Sequence, residues 1–179
     1  MNKLFDISRR TVVMTGATGV LGRSISLYLA QEGAIMILLG RNRERGEALS
    51  KAIADAGGES LFLCCDVLDR SSLERCRDEI LARYGHIDVL LNAAGGNMPG
   101  ATIPVDKTFF DMSADDFKKV VDLNLLGTVL PSQVFAGNMA ERKQGVIVNF
   151  SSESALRPLT RIAGYTSAKA AVQQFTRYM

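Results

Sequence analysis

Metal-ligand and disulfide chemistry has little to work with in this chain. Its 179 residues hold three cysteines, Cys64, Cys65 and Cys76, and a single histidine, His86. An odd cysteine count with two of the three adjacent gives neither a disulfide framework nor the spacing of a zinc site, so no metal is expected. Cys64 and Cys65 close an apolar stretch, LFLCC, and are expected as small hydrophobes. His86, in the turn YGHID, is expected to be structural or solvated. Charge of one sign is also missing: 21 Lys and Arg against 19 Asp and Glu leave a net charge of +2, which makes no case for nucleic acid or an anionic membrane as partner. Apolar runs such as AIMILL fall well short of the roughly 20 residues that span a bilayer, and the start MNKLFDISRR lacks the apolar core of a signal peptide. A cytoplasmic location is therefore expected. Repeats and low-complexity segments are absent, and so is tryptophan.

What is present suits one α/β domain over 1–179: 47% hydrophobic and 22% charged residues are ordinary for a globular chain with a real core. Short apolar runs at 11–15, 35–39, 61–65, 89–92 and 146–150 read as strands apolar enough to be buried on both faces. Between and after them, 20–32, 43–56, 71–84, 113–140 and 164–178 read as helices. Ser71 with Glu74 reads as a capping box, Gly57-Gly58 as a helix stop, and Pro131 as a kink or break in the fourth helix. This alternation predicts right-handed βαβ units and a doubly wound, Rossmann-type parallel sheet. In such a sheet ligands gather beyond the carboxyl ends of the strands. The distinctive residues sit there: a glycine turn after the first strand, Arg41 after the second, Asp66 after the third, Asn92 to Gly95 after the fourth, and Ser151-Ser152 after the fifth.

Two of these segments carry chemistry. In TGATGVLG, residues 15–22, glycines at 16, 19 and 22 lie between a strand and a helix, where the backbone can turn tightly, approach a pyrophosphate and offer it the helix N-terminus. Near the end of the chain, Tyr165 and Lys169 are four residues apart and so share a helix face, with Ser152 thirteen residues before the tyrosine. An ammonium beside a phenol favours phenolate, which suits a group that gives or takes a proton near neutral pH. Ser152 is placed to hold a substrate oxygen beside it.

Together with Asn92-Ala93-Ala94-Gly95 and Asn124, these segments resemble the classical short-chain dehydrogenases/reductases from about residue 8 to the last residue. The family pattern T-G-x-x-x-G-x-G is followed by Thr15, Gly16, Val20 and Gly22, with Gly19 in the middle place. The resemblance implies that Asn124, Ser152, Tyr165 and Lys169 are catalytic. It implies that Gly16, Thr18, Gly19, Val20, Leu21 and Gly22 bind the cofactor, that Asp66 and Val67 hold its adenine, that Asn92, Ala93 and Gly95 line the adenosine side, and that Tyr165 and Lys169 contact the cofactor as well. Tyr165 would protonate the developing alkoxide, and Ser152 would fix that oxygen. Lys169 would favour the Tyr165 phenolate and bind the nicotinamide ribose, and Asn124 would help hold a water in the proton path. The plainer alternatives are that Asp66 caps a turn, Asn92 ends a strand and Asn124 is a satisfied helix amide.

Cofactor choice turns on ILLGRNRER, where Gly40 stands about where NAD enzymes of this architecture place an acid, with Arg41 and Arg43 beside it. A 2′-phosphate calls for arginine, so NADP(H) is favoured over NAD(H); the alternative is that these arginines merely solvate a helix start. Residues 95–124 form a long Gly- and Pro-containing excursion that either shapes the substrate site or runs over the surface. NAAGGNMPGAT and NLLGTVLPSQ look like family members acting on sugar acids, including D-mannonate oxidoreductases, which makes Asn97, Ser152, Glu153 and Arg157 candidates for substrate contact. The expected partners are a small carbonyl or alcohol substrate and further copies of the chain in a dimer or tetramer. Family members continue past the Tyr-x-x-x-Lys helix into further strands, so the chain is expected to be truncated and to leave its fifth strand as an exposed apolar edge. A second class stays open: a non-catalytic dinucleotide-binding or assembly module on the same fold.

Overall fold

The computed structural model describes residues 5–179. The chain runs β1 (Thr11–Thr15), α1 (Val20–Gln31), β2 (Ile35–Gly40), α2 (Arg43–Asp55), β3 (Glu59–Cys64), α3 (Arg70–Tyr84), β4 (Val89–Asn92), α4 (Ala114–Val121), α5 (Gly127–Arg142), β5 (Val146–Asn149) and α6 (Ala163–Tyr178). All pairings are parallel, in the order β3-β2-β1-β4-β5. The order reverses beside β1, and Thr15 is level with both Leu39 and Asn92, so the carboxyl ends of three strands meet at one rim.

Strand periodicity sorts the core into two layers. Val13, Ile35, Ile37, Leu39, Leu63 and Leu90 point to one face, where Leu73 and Ile80 of α3 and Val134, Phe135 and Met139 of α5 cover them. Their neighbours Val12, Met14, Met36, Leu38 and Leu91 point to the other, under Ala30 of α1 and Leu49 and Ile53 of α2. Burial on both faces holds for β1 and β2, every residue of which is buried. It does not hold for β3 and β5, which are the sheet's edges: Val146 and Val148 are 56% and 42% exposed.

Two local expectations are corrected. The cap of α3 is Asp69, whose carboxylate accepts from the Ser71 and Ser72 amides, while Glu74 pairs with Arg70 at 2.8 Å; no Ser71–Glu74 box forms because the helix begins one residue earlier. The expected break at Pro131 lies upstream instead, as a π-helical turn at Asp122–Leu126, and α5 runs on through Pro131. Side-chain donors bonding back one turn accompany it: Asn124 Nδ2 to the Val120 carbonyl at 2.8 Å, Thr128 Oγ1 to Asn124 at 3.0 Å, and Ser132 Oγ to Thr128 at 2.8 Å. Such back-bonding competes with regular helix geometry and bends it. The run Ala114–Arg142 is long and apolar enough to cross a membrane by length and composition, which the short apolar runs of the sequence did not suggest. Its Val134, Phe135 and Met139 are packed in the core.

The end of the sheet opposite the rim is held by Asp88, only 5% exposed. Its carboxylate accepts from the Thr11 amide at 3.0 Å and faces His86 at 3.2 Å, Arg142 at 3.4 Å and Arg10 at 3.5 Å, so His86 has a structural place. Burial pushes the Asp88 carboxyl up, but the Thr11 amide and the three basic side chains outweigh it, leaving the group below its ordinary value. A folded-state value below the unfolded one contributes stability above the unfolded pKa and loses it as pH falls. Asp88→Ala is therefore expected to cost about 2–3 kcal/mol in urea unfolding at pH 7, a deficit that shrinks below about pH 4. A deficit independent of pH would rule out the charge as its source.

Candidate active site

The glycine turn fits where no side chain could. Gly16 has φ +65°, and a Cβ there would lie 2.8 Å from the Ala94 backbone; a Cβ on Gly22 would run into the Gly16 carbonyl. The contact brings the turn after β1 against the segment leaving β4. Thr15 Oγ1, fully buried, locks that segment by accepting from the amides of Ala93 and Ala94, both at 3.1 Å. At the start of α1, Gly19 supplies no side-chain cap and no acid occupies the first turn, so the helix N-terminus keeps its donors for a ligand.

The result is a cleft of about 350 Å³. It is lined by the predicted Gly16, Thr18, Gly19, Val20, Leu21 and Gly22, and by Arg41, Asp66, Val67, Ala93 and Gly95. Leu39, Gly40, Cys65, Ala94 and Leu123 line it too. Ala94 was legible from its place between two predicted residues, whereas Leu123 rides on the π turn, for which the sequence has no periodic signal. Asn92 does not line the cleft. It is buried and its Nδ2 donates to Ser132 Oγ at 2.9 Å and Asn149 Oδ1 at 2.8 Å, bracing β4 against α5 and β5. Asp66 faces Arg41 at 4.0 Å and also accepts from the Leu68 amide at 3.0 Å, so it caps a turn as well as lining the cleft. A cradle closed to a Cβ, with free helix-terminal donors, fits a dinucleotide pyrophosphate.

Beyond the Gly95 end of the cleft lies the second group. Lys169 is 5% exposed, and its ammonium donates to the Phe150 carbonyl at 2.7 Å and sits 5.7 Å from the centre of the Tyr165 ring. Burial holds the Lys169 ammonium below the usual lysine range. Ser151 Oγ donates to the Lys169 carbonyl at 2.9 Å, which docks the Ser152 segment on α6. Ser152 Oγ accepts from the Ser154 amide at 3.2 Å and from the Ser154 hydroxyl at 3.0 Å, so its own proton is left to donate. Asn124, fully buried, donates to the carbonyls of Gly96 and Val120 and accepts from the Gly96 amide at 3.0 Å. Both its N–H groups are thus engaged by backbone, and its visible work is to tie the π turn to the loop after β4. A Cβ on Gly95 would lie 2.6 Å from Asn124 Oδ1 and 3.2 Å from Lys169 Nζ, so these groups share one crowded spot.

The remaining substrate candidates are less convergent. Asn97 donates to Thr102 Oγ1 at 2.6 Å within its own loop, and Glu153 and Arg157 face each other 3.9 Å apart, 79% and 86% exposed. The excursion does dock on the molecule: Ala101 is fully buried, and the Ile103 amide donates to the Arg161 carbonyl at 2.9 Å. A larger cavity of about 740 Å³ opens between this excursion and the segment leading into α6.

Comparison with known proteins agrees with this geometry. The sequence model of the short chain dehydrogenase family matches residues 10–179. An uncharacterized oxidoreductase of Bacillus subtilis (strain 168), UxuB, is 38% identical over 97% of this chain and 66% of its own length. The NADPH-dependent pterin aldehyde reductase of Arabidopsis thaliana is 33% identical over 96% of this chain and 68% of its own. Among solved structures, a candidate D-mannonate oxidoreductase from Haemophilus influenza with bound NAD superposes with a TM-score of 0.91 at 36% identity, covering 97% of this chain and 65% of that one. The chain thus spans just under two thirds of the length of the first and last of these proteins.

Removing the Asn124 side chain frees both the carbonyl and the amide of Gly96. Asn124→Ala is expected to speed hydrogen exchange of the Gly96 amide at least about tenfold, the equivalent of one lost buried hydrogen bond. Unchanged exchange there would mean that the loop after β4 is held by other contacts.

Proposed function

The chain belongs to the short chain dehydrogenase family, and from that premise we propose that it serves an NAD(P)-dependent oxidoreductase acting on a secondary alcohol or the corresponding carbonyl. The observation that carries this reading is the junction of two sites, a cleft closed to any Cβ at Gly16 and Gly22, and Lys169 beside its Gly95 end, with the Tyr165 ring next to its ammonium and Ser151, the neighbour of Ser152, bonded to its carbonyl. When bound, the nicotinamide supplies or accepts the hydride. The chain's own residues move the proton and orient the oxygen. Ser152, whose hydroxyl already accepts twice from Ser154, donates to the substrate oxygen. Tyr165 passes its proton to that oxygen in reduction and takes one in oxidation. Lys169 has one protein acceptor among the described residues, the Phe150 carbonyl, and its remaining donors are free for ribose hydroxyls. Asn124 acts by positioning Gly95 and Gly96.

NADP(H) is favoured over NAD(H) because Arg41 stands on the rim of the cleft, 73% exposed, and Gly40 brings no acid. A second reading has support of its own: Asp66 shares the charge of Arg41, and the Haemophilus relative holds NAD. For the substrate, likeness to that candidate D-mannonate oxidoreductase favours a sugar acid. A homo-oligomer is favoured by membership of the short chain dehydrogenase family.

With D-mannonate and a panel of sugar acids and polyols as substrates, Tyr165→Phe is expected to lower kcat by about 100- to 10,000-fold, the range for a lost proton-transfer group. The NADPH dissociation constant should stay within about twofold. Retained turnover defeats the assignment. Arg41→Ala is expected to weaken NADPH about tenfold, the loss of one charge-assisted contact, and to leave NADH nearly unchanged. Equal effects on both dinucleotides would remove Arg41 as the selector.

A further inference from the structure

Arg161 is the one residue of the segment leading into α6 that adopts a left-handed backbone, with φ +69°. An arginine in this region is uncommon and strained, and it persists where its surroundings hold it there. What holds it is the excursion. Its carbonyl accepts from the Ile103 amide at 2.9 Å, while its guanidinium turns back to the same strand of backbone. Nη1 donates to the carbonyls of Ile103, at 3.2 Å, and Pro104, and Nη2 to that of Val105, at 3.5 Å. Three successive carbonyls are gathered by one planar fork, a geometry that a point-charge ammonium does not reproduce.

The clamp matters because of where α6 begins. The helix has no side-chain N-cap: Ile162 holds the capping position, and no acid lies in the first turn. Its first turn, Ala163, Gly164 and Tyr165, is therefore held by tertiary contacts rather than by local sequence. One such contact is Gly164 against Phe117 of α4, where even a Cβ would come within 3.2 Å of the ring. Another is the clamp, two residues before the helix and four before Tyr165.

We propose that Arg161 is a positioning residue that, by clasping the Ile103–Val105 backbone, fixes the excursion against the lead-in to α6 and thereby sets Tyr165 for proton transfer. This rests on the oxidoreductase reading above. Arg161 does not line the dinucleotide cleft, and its side-chain hydrogen bonds all go to the Ile103–Val105 backbone, so its loss is felt in the chemical step and not in cofactor binding.

Three variants test it in the purified protein. Arg161→Met, similar in reach and without donors, is expected to lower kcat with the turned-over sugar acid or polyol by about tenfold or more, as a misplaced catalytic group does. It should leave the NADPH dissociation constant within about twofold, and speed hydrogen exchange of the Ile103 amide. Arg161→Lys should recover part of the activity. Arg161→Gly relieves the backbone but lacks the fork, and should resemble Arg161→Met. Should Arg161→Met fail to fold, Arg161→Lys carries the test, with kcat intermediate and NADPH affinity unchanged. A kcat within about twofold of the parent in every variant, or a fall in NADPH affinity in step with kcat, overturns the proposal. Wild-type protein inert towards every substrate of the panel sinks the oxidoreductase reading and this proposal with it, whereas an active wild type indifferent to Arg161→Met sinks this proposal alone.

Discussion

The hydrogen bond from the buried Lys169 ammonium to the Phe150 carbonyl, at 2.7 Å, is the constraint around which the site is arranged. Taking an ammonium out of water is costly unless acceptors replace the lost hydration, and here the protein supplies one. That single bond joins α6 to the end of β5 and so sets the distance between the Tyr165 helix and the Ser152 turn. Gly95 must lack a side chain because Lys169 Nζ and Asn124 Oδ1 already occupy the space beside it. Ser151 completes the junction from the other side, through its bond to the Lys169 carbonyl. A buried ammonium with one protein acceptor among the described residues costs stability, and beside Gly95 it suits a group that shares its donors with a ligand.

The sheet brings the two halves together. Parallel strands put all their carboxyl ends at one rim, and the change of direction beside β1 separates the loops there enough to leave a crevice. A continuous polar path then runs from sheet to helix to loop. Asn92 bonds Ser132, Ser132 bonds Thr128, Thr128 bonds Asn124, and Asn124 bonds Gly96. Asn92, Ser132, Thr128 and Asn124 are all buried, and each bond of the path hands on to the next, although Asn92 Oδ1 itself finds no partner among the described residues. Asp88 provides the counterpart at the opposite end, where Thr11, Arg10, His86 and Arg142 converge.

The strands and helices were legible because their signals are periodic and their ends are marked by glycine and by turns; observed bounds differ from expected ones by a residue or two. The glycine cradle was legible for a different reason: spacing alone told where backbone must approach backbone, and the Gly16–Ala94 contact is that approach. What escaped has its cause in tertiary structure. The π turn depends on side-chain bonds from Asn124, Thr128 and Ser132 that no hydrophobic period encodes. Asn92 looked like a cleft residue because it stands at the carboxyl end of β4, yet strand alternation turns its side chain away. The exposed apolar edge expected at the fifth strand is observed, whereas the clasp of Arg161 joins segments 56 to 58 residues apart and has no local signal.

The most direct measurement is a titration of the protein with NADPH and with NADH, following nicotinamide emission, which the absence of tryptophan leaves free of indole background. It should be run beside Gly22→Ala, whose added Cβ meets the Gly16 carbonyl. Saturable binding by the parent protein, lost in that variant, is the expected result. No change of emission with either dinucleotide, or equal binding by both proteins, would contradict the central claim that this rim is a dinucleotide site.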